Sequence, residues 1–238
     1  MLAVLSQGLA ALNLMVPPDG VERLLDYLAL IQKWNRVYNL TALTDPHEML
    51  THHILDSLAA LPALHRQLTA LDLPGSDLRV LDVGSGAGLP GVVWAIVHPD
   101  WTVDCVDAVA KKAAFIQQAA VTLGLKRLRG LHARVEGLTT PYHLVCSRAF
   151  ASLGDFAVVS ERALGDPGVW LALKGHYPQE ELRALPPQVQ VFHVEQITVP
   201  DLGEQRCLVW MRRTGPDWVA PPFGPTASEV PLARPGTL

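Results

Sequence analysis

Through the first 70 residues, apolar positions recur at helical spacing. Val21, Leu24, Leu25, Leu28 and Ile31 form one stripe, and Trp34, three residues on, joins it as a core residue. Leu50, Ile54, Leu58 and Leu61 form a second stripe. This one follows a strong start signal: Asp45 as N-cap, Pro46 at the first helical position and Glu48 at the third. His53 lies on the second stripe and is read as a core histidine with its polar atoms satisfied. The opening MLAVLSQGLAALNLM has no basic segment and is interrupted by Ser6, Gln7 and Asn13. It reads as a helix of the folded protein and not as a secretion signal.

After the linker LDLPGSD the period changes. RVLDV (79–83), WTVDCVD (101–107), LRGLHAR (128–134), YHLVCSR (142–148) and GVWLALKG (168–175) read as strands. GVVWAIVH (91–98), KKAAFIQQAAVTLGL (111–125) and LGDFAVVSERAL (153–164) read as the helices between them. Strand and helix alternate, which predicts an α/β domain with a parallel sheet and helices on both faces. The alternation then stops. QVQVFHVEQITV (188–199) and QRCLVWMRR (205–213) are separated by too few residues for a helix, so they form an antiparallel hairpin. Three regions follow: a helical part over 1–72, the α/β domain over 73–214, and a proline-rich tail over 215–238, expected to be loosely ordered.

Composition narrows the class. The chain has 238 residues, 49% hydrophobic and 18% charged, and no apolar run long enough to span a bilayer. A cytoplasmic protein with no membrane association is expected. Cys105, Cys146 and Cys207 are widely spaced and fit buried free thiols, and no metal site is expected. The net charge is −4, but its distribution is uneven. Residues 1–107 carry five basic and twelve acidic groups, whereas 108–148 carry seven basic groups (Lys111, Lys112, Lys126, Arg127, Arg129, Arg134, Arg148) against Glu136 alone. Either one face meets phosphates or a helix-and-loop face is simply solvated.

LDVGSGAGLPG, Leu81 to Gly91, is the most informative stretch. It joins strand to helix through glycines at the carboxyl edge of a parallel sheet, where ligands bind. Gly86, Gly88 and Gly91 spell the dinucleotide fingerprint, but two residues too late relative to the strand end. The frame that fits is Asp82-x-Gly84-x-Gly86-x-Gly88. An acid ahead of the first glycine would repel a pyrophosphate and suit a cationic cofactor such as S-adenosylmethionine. Asp107, at the end of the second strand, is placed to take ribose hydroxyls in either case. Three readings remain: S-adenosylmethionine, a nicotinamide dinucleotide, or a structural turn. The terminal hairpin favours the first.

Several segments together resemble one family, the small-subunit ribosomal RNA guanine-N7 methyltransferases known as RsmG or GidB. They are WNRVYNLTALTDPHEMLTHHILDSL, VLDVGSGAGLPGVVWAI, VDAVAKKAAFI, ARVE and SRAFASL, in family order from Trp34 to Leu153. Before His53 the family often carries a basic residue, and here the position is His52. The resemblance implies a Rossmann-like methyltransferase fold with a seven-stranded sheet and an N-terminal helical extension. It implies methyl transfer from S-adenosylmethionine to N7 of a guanine in 16S rRNA. It also implies cofactor contacts at Gly84, Leu89, the Val135–Glu136 pair and Arg148.

Guanine N7 carries an in-plane lone pair and no proton, so no general base is nominated. An arginine at the site should touch O6 or a phosphate, since pairing N7 would block the reaction. Arg148, following the fourth strand, is the candidate catalytic residue, and a structural ion pair is its other reading. Glu136 could accept from the adenine amino group. Lys111 and Lys112 open a helix, where positive charge opposes the dipole, and so suggest an anionic partner. Asn39 and Thr41 could contact RNA or cap the chain locally. The partner expected is 16S rRNA or the small ribosomal subunit, and a monomer is expected. A methyltransferase acting on a small molecule, and a nucleoside- or RNA-binding module without catalysis, are the competing readings.

Overall fold

The computed structural model describes residues 1–148, 150 and 152–215; the proline-rich tail from residue 216 onward lies outside them. Seven strands form one mixed sheet: β1 (Arg79–Val83), β2 (Thr102–Asp107), β3 (Leu128–His132), β4 (Tyr142–Ser147), β5 (Leu164–Lys174), β6 (Val189–Thr198) and β7 (Gln205–Arg213). Their order is β3-β2-β1-β4-β5-β7-β6. The first five run parallel, and β7 is antiparallel to both β5 and β6. The sheet order reverses at β1, between β2 and β4. The carboxyl ends of those strands diverge there, opening a crevice.

Alternation along the buried strands divides the core between two faces. Val80, Val103, Cys105 and Leu144 point to one face, and Leu81, Val106 and Val145 to the other. The first face is covered by α6 (Gly91–Val97) and α7 (Ala110–Thr122), the second by α8 (Leu153–Ser160). The N-terminal helices α1 (Leu2–Ala11) and α2 (Gly20–Tyr38) belong to the first core. So does the run formed by α3 (Pro46–Met49), α4 (Asp56–Ala59) and α5 (Leu61–Ala70). Leu24, Tyr27, Leu28 and Ile31 of α2 are all buried against α6 and α7, so the helical part shares one continuous core with the sheet.

Four details depart from the sequence pattern. Between α3 and α4 the chain widens into a π-helical stretch, Leu50–Leu55, which carries His52 and His53. Such widened turns recur at functional sites. The helix expected to reach Leu164 ends at Ser160, followed by a tight turn, Glu161–Ala163. β5 starts early because Leu164 pairs with Tyr142, and Gly165–Gly168 bulge out before pairing resumes at Val169. A five-residue helix, α9 (Gln179–Arg183), was not expected, being too short to show a period. Cys105, Cys146 and Cys207 are free and buried. Among the described residues, no helix is long and apolar enough to cross a membrane.

Candidate active site

The glycine turn begins where β1 ends. Gly84, Gly86 and Gly88 all have positive φ, at 66°, 60° and 86°, a region that side chains penalise. The turn directs its amides inward. Those of Gly84 and Ser85 donate to the Val106 carbonyl (2.9 and 3.3 Å), and those of Gly88 and Leu89 to the Ser85 carbonyl (2.8 and 3.0 Å). The amide of Gly86 donates to Asp107 Oδ2 at 3.0 Å. Five amides are thus committed within the protein, so the turn is not an anion cradle of the kind that holds a pyrophosphate. Gly84 and Gly86 face outward, and a Cβ on Gly86 would meet nothing within 4 Å. Gly88 and Leu89 are buried on the inner side, and a Cβ on Gly88 would collide with Val92.

Two acids flank the turn, one beneath it and one at the crevice. Asp82 is fully buried within β1, and its Oδ2 accepts the amide of Gly91 at 2.9 Å. It therefore lies beneath the turn and not on its outward side, where its position ahead of Gly84 suggested it would be. Its Oδ1 has no hydrogen-bond partner among the described residues. Burial pushes its carboxyl up to about 7, with the Gly91 amide and the Arg148 charge pulling the other way. Asp107 is at the crevice: Oδ1 accepts from the Val109 amide at 2.8 Å, and each oxygen keeps a lone pair. An outward floor free of side chains, inward amides and two carboxyls fit a sulfonium cofactor with ribose hydroxyls to donate. They do not fit a diphosphate.

The remaining strand ends complete the crevice. Ser147 Oγ donates to the Val83 carbonyl at 2.9 Å, locking β4 to β1. Val135 is buried and Glu136 exposed in the tight turn after β3, Val135–Gly137. Arg148 leaves β4 and turns toward the helical region. Its Nη1 donates to the His52 carbonyl (2.9 Å) and to Asp56 Oδ2 (3.1 Å). Asp56 Oδ1 accepts from Arg206 Nε on β7 at 2.8 Å, and Arg206 Nη1 pairs with Glu204 at 2.8 Å. The ion-pair reading of Arg148 is thus present in the structure, and the pair lines a cleft of about 410 Å³. Lys174 borders the same cleft, where it bonds the Phe150 carbonyl (3.1 Å) and Glu181 (2.8 Å).

His53 is buried as expected, but only half satisfied: Nε2 meets Thr41 Oγ1 at 2.9 Å, while Nδ1 has no partner among the described residues. Burial first, then the Arg148 charge, lowers it to about 4, so it is neutral at physiological pH. Thr41 is used locally, by His53, by the Leu43 amide and through its own amide by Asn35. Asn39 ends α2 in the left-handed conformation and is exposed, bordering a polar groove with Gln32 and Arg36.

The seven basic residues of 108–148 do not form one face. Lys111, Lys112, Arg134 and Arg148 lie at the carboxyl edge, near the crevice. Lys126 and Arg127 lie at the opposite edge, with Arg127 on Asp77 at 2.7 Å. Arg129 is held by the buried Asp104 at 2.6 and 2.5 Å, where Tyr142 also donates at 2.6 Å. Nor is the α7 start uncompensated: Lys112 sits 3.7 Å from Asp107. Charge counting along the chain could not see this, because β2 supplies the acids. Sequence reasoning also passed over Tyr27, Asp56 and Arg206. Asp56 stood one helical turn beyond His52, and its signal was a carboxylate inside an apolar helix.

Residues 20–209 match the family model GidB, rRNA small subunit methyltransferase G. A ribosomal RNA small subunit methyltransferase G from Albidiferax ferrireducens is 60% identical over 212 residues, covering 87% of this chain and 95% of that one. Another from Paracidovorax citrulli is 59% identical over 216 residues, covering 88% and 89%. Among solved structures, TrmN from Thermus thermophilus superposes with a TM-score of 0.50 at 22% identity, covering 69% of this chain and 53% of that one. A mutant of MtNAS gives 0.51 at 14% identity, covering 79% and 71%. These two likenesses show the fold alone. With four-fifths of its length matched by the family model and near-60% identity to full-length relatives, the chain belongs to the GidB family of rRNA small subunit methyltransferases.

Proposed function

We propose that this protein transfers the methyl group of S-adenosylmethionine to N7 of an unpaired guanine in 16S rRNA of the small ribosomal subunit. The observation that carries the reading is the glycine turn: five amides are taken up within the protein, Asp82 lies beneath, Asp107 stands at the crevice, and a base-sized cleft opens beside Arg148. S-adenosylmethionine supplies, when bound, an electrophilic methyl on a positive sulfur. Asp107 takes the ribose hydroxyls, the turn at Gly84 and Gly86 forms the floor, and Val135 and Glu136 border the adenine. Asp82, beneath the turn, favours positive charge above it.

N7 attacks with its own lone pair, so the protein moves no proton. Its contribution is positioning and exclusion of water. Arg148 holds guanine O6 and leaves N7 open to the methyl. Lys111 and Lys112, beside the crevice, and Asn39, on the groove at the end of α2, meet RNA phosphates and sugars. The base leaves its stack to reach the cleft, at least cost from an unpaired loop. Residues 1–72 brace the methyltransferase domain 73–214, and the protein works in the cytoplasm as a monomer.

The test is incubation with labelled S-adenosylmethionine and small ribosomal subunits, naked 16S rRNA or tRNA, followed by mapping of the labelled base. Label at guanine N7 in small-subunit RNA is expected. Label in none of these RNAs, or on another atom, would overturn the reading.

A further inference from the structure

The Arg148–Asp56–Arg206 chain is more elaborate than positioning a cofactor requires. It joins three distant segments: the end of β4, the start of α4 just after the π-helical stretch, and β7. Asp56 is buried, with its side chain 7% exposed, between guanidiniums that are 24% and 18% exposed. All three border the cleft, whose other walls include Leu173, Ile197 and Leu208.

A phosphate site would not be built this way. A carboxylate wedged between the two arginines, and Glu204 on the second, cancel the field that an anion needs. With Lys174 committed to Glu181, what remains is a cleft of paired charges beside Leu173, Ile197 and Leu208, with a strong donor next to a strong acceptor. That arrangement suits a neutral heterocycle whose edge carries the opposite sequence.

We infer that Arg148 and Asp56 together read the Watson–Crick edge of the acceptor guanine, with Arg206 as the positioning residue for Asp56. The inference rests on the function proposed above and deepens it. Guanine presents an acceptor, O6, next to two donors, N1–H and N2–H. Among the described residues Arg148 bonds His52 and Asp56 through Nη1 alone, so Nε–H and Nη2–H are available for O6. Asp56 accepts one hydrogen bond on each oxygen, so lone pairs remain for N1–H and N2–H. N7 lies on the far side of O6 and stays free for methylation. Adenine reverses the pattern: its 6-amino group would face the guanidinium, and its N1 lone pair would face the carboxylate. Discrimination of that kind, against groups left unpaired, is the strong form of specificity. Arg206, with Nε on Asp56 Oδ1 at 2.8 Å, fixes the carboxylate's angle from the hairpin.

The experiment compares small-subunit rRNA carrying guanine or inosine at the methylated position. Inosine keeps O6, N1–H and N7 and lacks only the 2-amino group. The wild-type protein is expected to favour guanine about tenfold or more in kcat/KM, the worth of one hydrogen bond to a charged acceptor. Asp56→Asn is expected to lower kcat/KM on guanine and bring the guanine-to-inosine ratio near one, with adenosylhomocysteine affinity retained. Equal wild-type rates on the two RNAs would overturn the inference with no variant needed. So would an Asp56→Asn protein that keeps the wild-type ratio. Arg206→Gln is expected to give an intermediate ratio, and an unchanged ratio there would remove Arg206 from the arrangement. If the wild-type protein places no methyl on guanine N7, the failure lies in the proposed function itself.

Discussion

The phenol of Tyr27, on α2, donates its hydrogen to the carbonyl of Ala87 in the glycine turn, with the Gly88 carbonyl 3.3 Å away. Sixty residues separate them, and both are buried. The helical extension therefore holds the glycine turn from behind. Burial raises the Tyr27 phenol well above its usual range, so it remains a donor at every physiological pH. Tyr27→Phe leaves a buried carbonyl without this donor and should cost about 1–2 kcal/mol in denaturant unfolding. Adenosylhomocysteine affinity should fall several-fold by calorimetry. Unchanged affinity would mean that the turn keeps its shape without α2.

The glycines of the turn should divide into two classes. Gly91→Ala would drive a methyl to 2.5 Å from Cys105 Sγ and 2.9 Å from Asp82 Oδ2, neither of which can retreat from the core. A loss of about 2–3 kcal/mol in stability is expected. Gly86→Ala has open space around its methyl, and only its positive φ opposes it, at about 1–2 kcal/mol. Its larger effect should be on cofactor binding, because the new methyl occupies the floor. Thermal melts paired with calorimetry separate the two.

Asp82 predicts a pH dependence of defined sign. Its carboxyl sits at about 7 in the folded protein and near 3.8 in the reference state. Between those values the folded state binds the extra proton. Stability should therefore fall as pH rises from about 4 to about 7, and level off above. Asp82→Asn keeps an acceptor for the Gly91 amide and removes the buried charge. It should be more stable than the wild type at pH 8, flatten the pH profile, and bind S-adenosylmethionine more weakly. A profile identical to that of the wild type would contradict the assignment.

Arg129 should behave as a structural residue despite its place in the basic segment. Its guanidinium is half-exposed, but its partner Asp104 is fully buried on β2. Arg129→Met would leave that carboxylate with Tyr142 alone, at an expected cost of about 2 kcal/mol after allowing for solvent screening of the exposed partner. RNA affinity and its salt dependence should not change, whereas Lys111→Gln should reduce the salt slope by about one. Filter binding over a range of salt distinguishes the two residues.

Much of the architecture was legible from local rules. β-branched runs of five or six residues, a glycine turn and an N-cap signal at Asp45 are decided by neighbours in the chain. The Asp45 carboxylate does accept the amides of His47 and Glu48, at 2.8 and 3.0 Å. The hairpin of β6 and β7 followed from a connection too short for a helix. The candidate cofactor residues Asp82, Gly84, Gly86 and Asp107 were legible for the same reason, since strand ends and glycines are marked in sequence. What the chain does not write locally is which side of the turn each of them faces.

By itself, then, the sequence determined an α/β domain behind a helical extension, a terminal hairpin and the position of the glycine crevice, because backbone sterics and periodicity act over a few residues. Only the tertiary structure decided that Asp56 meets both Arg148 and Arg206, which lie 92 and 150 positions away from it in the chain. It likewise decided that Tyr27 backs the glycine turn, and that three of the seven basic residues lie away from the crevice. Those outcomes depend on the order in which strands pair, β4 beside β1 and β7 beside β5. Burial of two opposed apolar faces sets that order, and no short window of sequence contains both partners.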